Sequence, residues 1–140
     1  MIRIIKQEWE ITKTYIFDVV LRDGLIKLDW NDFEIRAMRY TPFMAVRVDD
    51  SVSLSELTKN ALEAIHKDAN AGLSSIMMMI SYKKDNEIMI DEMRELNEYF
   101  SRLADIDVDI AWGIQQADDM TNNRCVSMFA FCKTISDKSR

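Results

Sequence analysis

An unbroken apolar run, SIMMMISY from Ser75 to Tyr82, constrains the fold of this chain more than any other segment. Polar residues bound it, and runs of this kind are usually central strands buried on both faces of a sheet. Methionine is less prone to form strands than valine or isoleucine, so the prediction rests on the length of the run and on its flanks. Met77, Met78 and Met79 are therefore interpreted as core residues rather than as a flexible binding groove.

Helical and strand patterns alternate around this run. Ser53 and Glu56 are spaced as a capping box that opens a helix. Pro42 stops the helix before it and begins a segment that alternates as a strand does. The predicted helices are Ile4 to Arg22, Asp29 to Met38, a helix that opens at Ser53 or Ser55 and ends around Asn70 to Gly72, and a helix from Asp91 through Leu103. The predicted strands are Pro42 to Asp49, Ser75 to Tyr82, Asp107 to Ile114, and Arg124 to Lys133.

This order predicts an α/β (α+β) two-layer sandwich: N-terminal helices, then β-α-β-α-β-β, with helices on one face of a mixed four-stranded sheet. Strand–helix–strand units place their strands parallel, with a right-handed crossover. The last two strands, joined by a turn-rich loop at residues 118–123, are expected to pair antiparallel. We expect an N-terminal helix over residues 1–23, a domain over residues 24–135 and a flexible tail at residues 136–140.

Composition and charge narrow the class of protein. The chain has 140 residues, 48% hydrophobic and 30% charged, which is typical of one globular domain. Its net charge of −6 disfavours nucleic acid and anionic membrane surfaces as partners. No run reaches the roughly 18 apolar residues of a membrane span, and no secretory signal is evident, so a cytoplasmic location is expected. Cys125 and Cys132 fall on opposite faces of one predicted strand and are expected to stay free thiols.

The segment from Gly24 to Asp32, GLIKLDWND, connects the first two predicted helices. Gly24 is expected to end the first helix in the left-handed conformation, with Leu25, Ile26 and Leu28 burying the connection. Asp29 and Asp32 fall in the first turn of the next helix, where negative charge is favourable. The simplest interpretation is that Asp29 is the N-cap and Asp32 the third helical residue.

This segment resembles the loop that opens the C-terminal domain of FtsZ, the bacterial tubulin homologue that hydrolyses GTP in cell division. Gly24, Leu25, Ile26, Trp30 and the two aspartates match the family pattern, while Lys27 replaces an asparagine. A second similar stretch runs from Ala104 to Ala117, where Asp109, Ile110, Trp112 and Gly113 fit a family strand that is followed by an acidic loop. The order of elements is similar over roughly Tyr15 to Lys133.

The resemblance implies a role for the loop. In the family, the two carboxylates reach the nucleotide site of the next subunit in a filament and activate hydrolysis there. Asp29 and Asp32 are therefore candidate activating residues in trans, with Gly24, Lys27 and Trp30 as candidate binding residues. Lys27 either pairs with Asp29 or reaches a phosphate. The resemblance implies a protein partner, which is an FtsZ-like GTPase or a second copy of the chain.

The chain departs from the family in what it lacks. Its three glycines, Gly24, Gly72 and Gly113, are far apart in the sequence, so no glycine-rich phosphate loop is present. We expect no GTP binding by the chain alone, no catalysis of its own, no cofactor and no metal site. His66, the single histidine, is interpreted as a cation near a helix C-terminus.

Two further functions stay open at this point. One is a self-associating structural protein, a homo-oligomer unrelated to division. The other is a small enzyme or ligand-binding domain at a subunit interface, which would need converging cations such as Arg36, Arg39 and Arg47.

Overall fold

The structure, a computed structural model, describes residues 1–69 and 72–134. The described residues form one sheet and four α-helices, with a short π-helical segment directly after the first helix. The predicted tail at residues 136–140 lies outside them. In chain order the elements are β1 (Ile2–Ile5), α1 (Glu8–Tyr15), the π segment (Ile16–Val20), α2 (Trp30–Arg39), β2 (Tyr40–Asp49), α3 (Leu54–Asp68), β3 (Leu73–Tyr82), α4 (Ile90–Asp105), β4 (Asp109–Gln116) and β5 (Arg124–Lys133).

The strands of the described residues make a mixed sheet in the order β1-β2-β5-β3-β4. β3 and β4 run parallel, as expected of a strand–helix–strand unit, and the other neighbouring pairs are antiparallel. The expected pairing of β4 with β5 is wrong, because β5 lies between β2 and β3. Residues 125–131 of β5 are all buried, so this strand gains most from a place in the interior of the sheet.

The first residues form a fifth strand, where a helix from Ile4 and a four-stranded sheet were predicted. Ile2 and Ile4 of β1 stand opposite valines of β2. The β-branched isoleucines favour a strand over a helix. The edge of β2 offers backbone N–H and C=O groups with which this strand can pair. The helix begins at Glu8 instead, capped by the side chain of Gln7.

Helices cover both faces of the sheet. Met78 lies in a core beneath α3 and α4, whereas Met77 and Met79 lie in a second core with Tyr15 of α1 and Phe33 of α2. The apolar run is therefore buried on both faces, as predicted. The α/β sandwich with a mixed sheet is confirmed. The arrangement with helices on one face is not, since the N-terminal helices add a third layer.

Both cysteines lie on β5. Cys125 is buried, Cys132 is partly buried, and both are free thiols, as predicted. Within residues 1–69 and 72–134, no helix combines the length and the apolar character that crossing a bilayer requires.

Candidate functional site

The loop from Gly24 to Asp32 is held against β4 by its backbone. The amides of Leu25 and Ile26 both donate to the carbonyl oxygen of Ile114, at 2.8 and 3.1 Å. The Ile114 amide donates in return to the Ile26 carbonyl oxygen at 2.8 Å. Gly113 lies directly beneath this crossing and has no side chain to obstruct it. The loop is therefore a fixed element of the fold at this end.

Gly24 serves the same crossing, for a reason other than the predicted one. The left-handed conformation expected there is wrong, because Gly72 is the one described glycine with a positive φ, at 96°. A Cβ on Gly24 would stand 3.1 Å from the Ile114 carbonyl oxygen. Space, rather than backbone conformation, favours glycine at position 24.

Asp29 and Asp32 cap α2, as the simplest interpretation of the sequence predicted. The Asp32 amide donates to Oδ1 of Asp29 at 3.1 Å, and the Asp29 amide donates to Oδ2 of Asp32 at 2.9 Å. Asp29 is exposed and Asp32 is partly buried. This reciprocal box uses one oxygen of each carboxylate; within the described residues, the other two oxygens accept no hydrogen bond.

Tyr15 anchors the start of α2 from below. Its hydroxyl donates to the carbonyl oxygen of Asp29 at 2.6 Å, and its ring packs against Phe33 and Phe129 with centroid distances of 4.7 and 5.1 Å. Burial, together with the charges of Asp32 and Asp29, raises the pKa of Tyr15 well above its usual value. The phenol therefore stays protonated and remains a donor.

The outer side of the loop is more apolar than the sequence suggested. Leu28 is buried as expected, but Leu25 is 76% exposed and Ile26 is also exposed, so the predicted burial of these two is wrong. Trp30 is 38% exposed and stacks on Phe33 at a centroid distance of 5.4 Å. A partner meeting this loop would contact aliphatic and aromatic surface beside Asp29.

Lys27 is directed toward the preceding turn. Its Nζ donates to the carbonyl oxygen of Arg22 at 3.2 Å, and it makes no ion pair with Asp29 among the described residues. Arg22 in turn forms a two-pronged ion pair with Asp119, at 2.8 and 2.6 Å. That pairing lowers the pKa of Asp119 to about 2. The acidic loop after β4 is thus joined to the start of the candidate loop.

Sequence reasoning missed the local role of Arg36. Its guanidinium lies beneath α2 and reaches Asp32, Ser75 and Asp109. Within α2, Arg36 donates to the backbone carbonyl oxygen of Asp32, which every helical residue possesses, and its other two partners come from β3 and β4. Residue types and spacing therefore carried no specific signal for this cluster.

The three arginines that an enzyme site was expected to bring together each contact a different partner. Arg36 is bonded to Asp32, Ser75 and Asp109. The Arg39 guanidinium lies 5.2 Å from the centre of the Tyr40 ring, and the Arg47 guanidinium lies 4.0 Å from the Asp18 carboxylate.

His66 lies on the other side of the sheet from the candidate loop, in a groove of about 440 Å³ between α3 and α4. Among residues 1–69 and 72–134, no group of three His, Cys, Asp or Glu side chains is placed to hold a metal ion.

The chain is similar to known proteins in its fold and not in its sequence. No family profile and no curated protein sequence matches the chain. Among solved structures, an empty FtsZ dimer from M. jannaschii aligns with 90% of this chain at a TM-score of 0.56 and 15% identity. The W319Y mutant of M. jannaschii FtsZ aligns with 86% at a TM-score of 0.54 and 17% identity. The chain has an FtsZ C-terminal-domain-like fold.

The similarity is one of fold, and it covers only part of each FtsZ chain. The chain spans 36% of the length of each FtsZ structure. A thiamine monophosphate kinase from Aquifex aeolicus also aligns, over 91% of this chain and 42% of the kinase, at a TM-score of 0.50 and 9% identity. The resemblance inferred from GLIKLDWND and the strand near Gly113 is confirmed at the level of the fold.

Proposed function

We propose that this chain is a protein-interaction module without catalysis of its own. It presents the Gly24–Asp32 loop to a subunit of a tubulin-like filament and so caps or modulates the polymer. The observation that carries this proposal is the loop itself: a segment tied to β4 by backbone hydrogen bonds, yet with Leu25 and Asp29 exposed. A preformed loop loses little conformational entropy when it binds.

The chemistry of the loop suits contact with a neighbouring subunit. Asp29 and Asp32 each keep one oxygen outside the capping box, and such an oxygen can accept a hydrogen bond from a donor or a water on a partner. Leu25 and Trp30 supply apolar contact area beside them. Lys27 is held on the Arg22 carbonyl oxygen and leaves the carboxylates unneutralised.

Lack of catalysis is part of the proposal. Gly24 and Gly113 come together in space, but both face chain backbone of the loop crossing rather than an open cradle for phosphate. The kinase alignment carries 9% identity and bears on the fold alone. Two free thiols are compatible with a cytoplasmic setting, where FtsZ-like GTPases would be met.

The experiment adds the chain at increasing ratios to FtsZ purified from the organism that carries it, and measures GTP hydrolysis and pelleting of filaments. Asparagine serves as an N-cap about as well as aspartate, so an Asp29→Asn/Asp32→Asn variant removes charge while keeping α2 capped. We expect wild type to change both readouts and the variant to need roughly ten- to a hundredfold more protein.

A matched control is Asp118→Asn, an exposed carboxylate near the loop that lies outside the capping box. It should behave as wild type. Absence of any effect of the wild-type chain on hydrolysis and pelleting would refute the proposal.

Self-association is a second candidate function, favoured by one observation. Trp9, Phe17 and Leu21 of the N-terminal layer are 61%, 59% and 65% exposed, and a second copy of the chain could bury this apolar area. This candidate predicts a concentration-dependent dimer or trimer in sedimentation velocity. Phe17→Ser/Leu21→Ser should then give a monomer, and Asp29→Asn/Asp32→Asn should leave the oligomer unchanged.

A further inference from the structure

Helix α2, which carries the end of the candidate loop, has little apolar anchorage. Phe33 is the one buried residue of this helix, and Ile35 and Met38 are 49% and 81% exposed. Trp30 adds to the anchorage by stacking on Phe33. A helix with one core side chain needs another attachment if its N-terminal carboxylates are to keep a fixed orientation.

Arg36 supplies that attachment. Its Nε donates to Oγ of Ser75 at 2.8 Å, its Nη2 donates to Oδ2 of Asp109 at 2.8 Å, and its Nη1 donates to the Asp32 carbonyl oxygen at 2.9 Å. The Ser75 hydroxyl also donates to Asp109 Oδ2, at 2.9 Å, which closes the cluster. The Arg36 side chain is only 14% exposed, so water competes weakly for these donors.

The cluster holds α2 at the far end of β4 from the loop crossing. Ile26 is bound at Ile114, whereas Arg36 is bound at Asp109, and the two points lie about 16 Å apart along an extended strand. Asp32 and Asp29 lie between these two attachments in the chain. Without the Arg36 attachment, α2 is held by the loop crossing, by Phe33 and by the Tyr15 hydroxyl on the Asp29 carbonyl oxygen.

We infer that Arg36 is a positioning residue for the loop. Through Asp109 and Ser75 it holds α2 so that Asp29 and Asp32 meet a partner in one orientation. The effect on a partner rests on the proposed function, whereas the effect on the loop can be measured without one. Lysine at this position keeps the charge but cannot span three acceptors in a planar fork.

The test compares Arg36→Lys and Asp109→Asn with wild type by amide hydrogen exchange. The loop amides to follow are those of Asp29 and Asp32, which are bonded within the capping box at the start of α2. Amides of Leu25 and Ile26 report on the separate crossing at Ile114, and amides of the central strands report on global unfolding. We expect loop amides to exchange about ten- to a hundredfold faster in both variants, and central amides to change much less. Arg39→Lys is the matched control, since among residues 1–69 and 72–134 the guanidinium of this exposed arginine on the same helix contacts only the face of Tyr40.

Filament binding supplies the second readout. If wild type acts on FtsZ, Arg36→Lys should weaken that action with Asp29 and Asp32 intact, and the Arg36→Lys/Asp109→Asn double variant should be no worse than either single one. Unchanged loop exchange in Arg36→Lys would overturn the inference and leave the proposed function standing. Faster loop exchange in a chain that has no action on FtsZ would support the Arg36 attachment and overturn the filament proposal alone.

Discussion

The carbonyl oxygen of Ile26 lies 2.5 Å from the point where a Cβ on Gly113 would stand. Real Cβ atoms do not approach a backbone oxygen this closely, so the crossing of loop over strand exists only with glycine at this position. The two stretches that carry the resemblance to FtsZ therefore meet at this crossing, where Leu25 and Ile26 are hydrogen-bonded to Ile114 beside Gly113.

Replacing Gly113 with alanine should displace the loop from β4. Because the obstructing atom belongs to backbone, we expect the free energy of unfolding to fall by about 1–3 kcal/mol. Urea denaturation at neutral pH measures the change. Gly24→Ala is the milder comparison, since its Cβ would meet an oxygen at 3.1 Å. Equal stability of Gly113→Ala and wild type would contradict this account of the crossing.

Removing the Tyr15 hydroxyl should cost one hydrogen bond and create almost no cavity. Tyr15→Phe should lower the free energy of unfolding by about 1 kcal/mol at pH 7. Tyr40→Phe, whose hydroxyl makes no hydrogen bond within residues 1–69 and 72–134, should be close to neutral. A loss of the same size in both variants would show that the bond to the Asp29 carbonyl oxygen contributes nothing particular.

The same phenol predicts a dependence on alkaline pH. Burial raises the pKa of Tyr15 in the folded chain, whereas the unfolded chain loses this proton near pH 10. The contribution of Tyr15 to stability is therefore complete below about pH 10 and is lost as the pH rises further. Urea midpoints between pH 9 and 11 should decline more steeply for wild type than for Tyr15→Phe.

Capping by Asp29 can be separated from its charge. Asp29→Ala removes the acceptor of the Asp32 amide and should lower the free energy of unfolding by about 1 kcal/mol, whereas Asp29→Asn should change it by a few tenths. Thermal and urea unfolding of the two variants give the comparison. If the asparagine variant were as unstable as the alanine variant, carboxylate charge would contribute more to α2 than the cap does.

Acid should weaken the link between Arg22 and Asp119. Their paired hydrogen bonds lower the pKa of Asp119 to about 2, from a usual value of 3.8. The stability that this pair contributes is present above the unfolded value and is lost as the pH falls toward 2. Between pH 4 and pH 2, the urea midpoint should fall less for Asp119→Asn than for wild type. Asp118→Asn should follow the wild-type curve, and a shallower curve for that control would point to general charge effects.

The features predicted correctly from the sequence are those that depend on residues close together in the chain. The capping pair Asp29 and Asp32 and the doubly buried methionine run follow from neighbouring residues alone. Ile2 to Ile5 form a strand because β2 offers an edge whose paired residues lie 40 to 46 positions away, farther than any local stretch of sequence reaches. Gly24 was assigned the right importance and the wrong cause, since its neighbour Ile114 is known only once the chain is folded.

Arg36 likewise has one partner nearby in the sequence and two that are distant. Its spacing from Asp32 is visible in the sequence, but its other partners, Ser75 and Asp109, come from β3 and β4. Side chains that join distant elements are the part of a site that pattern reasoning misses, because their acceptors are set by topology.

The position of β5 between β2 and β3 has a consequence for how the chain is made. Until Arg124 to Lys133 leave the ribosome, β1 with β2 and β3 with β4 are two separate strand pairs with unsatisfied edges facing one another. The two pairs cannot join into one sheet before all of β5 has been made, because β2 and β3 are linked only through that strand. Closing the sheet is therefore a step of high contact order, which is expected to be slow compared with forming the helices.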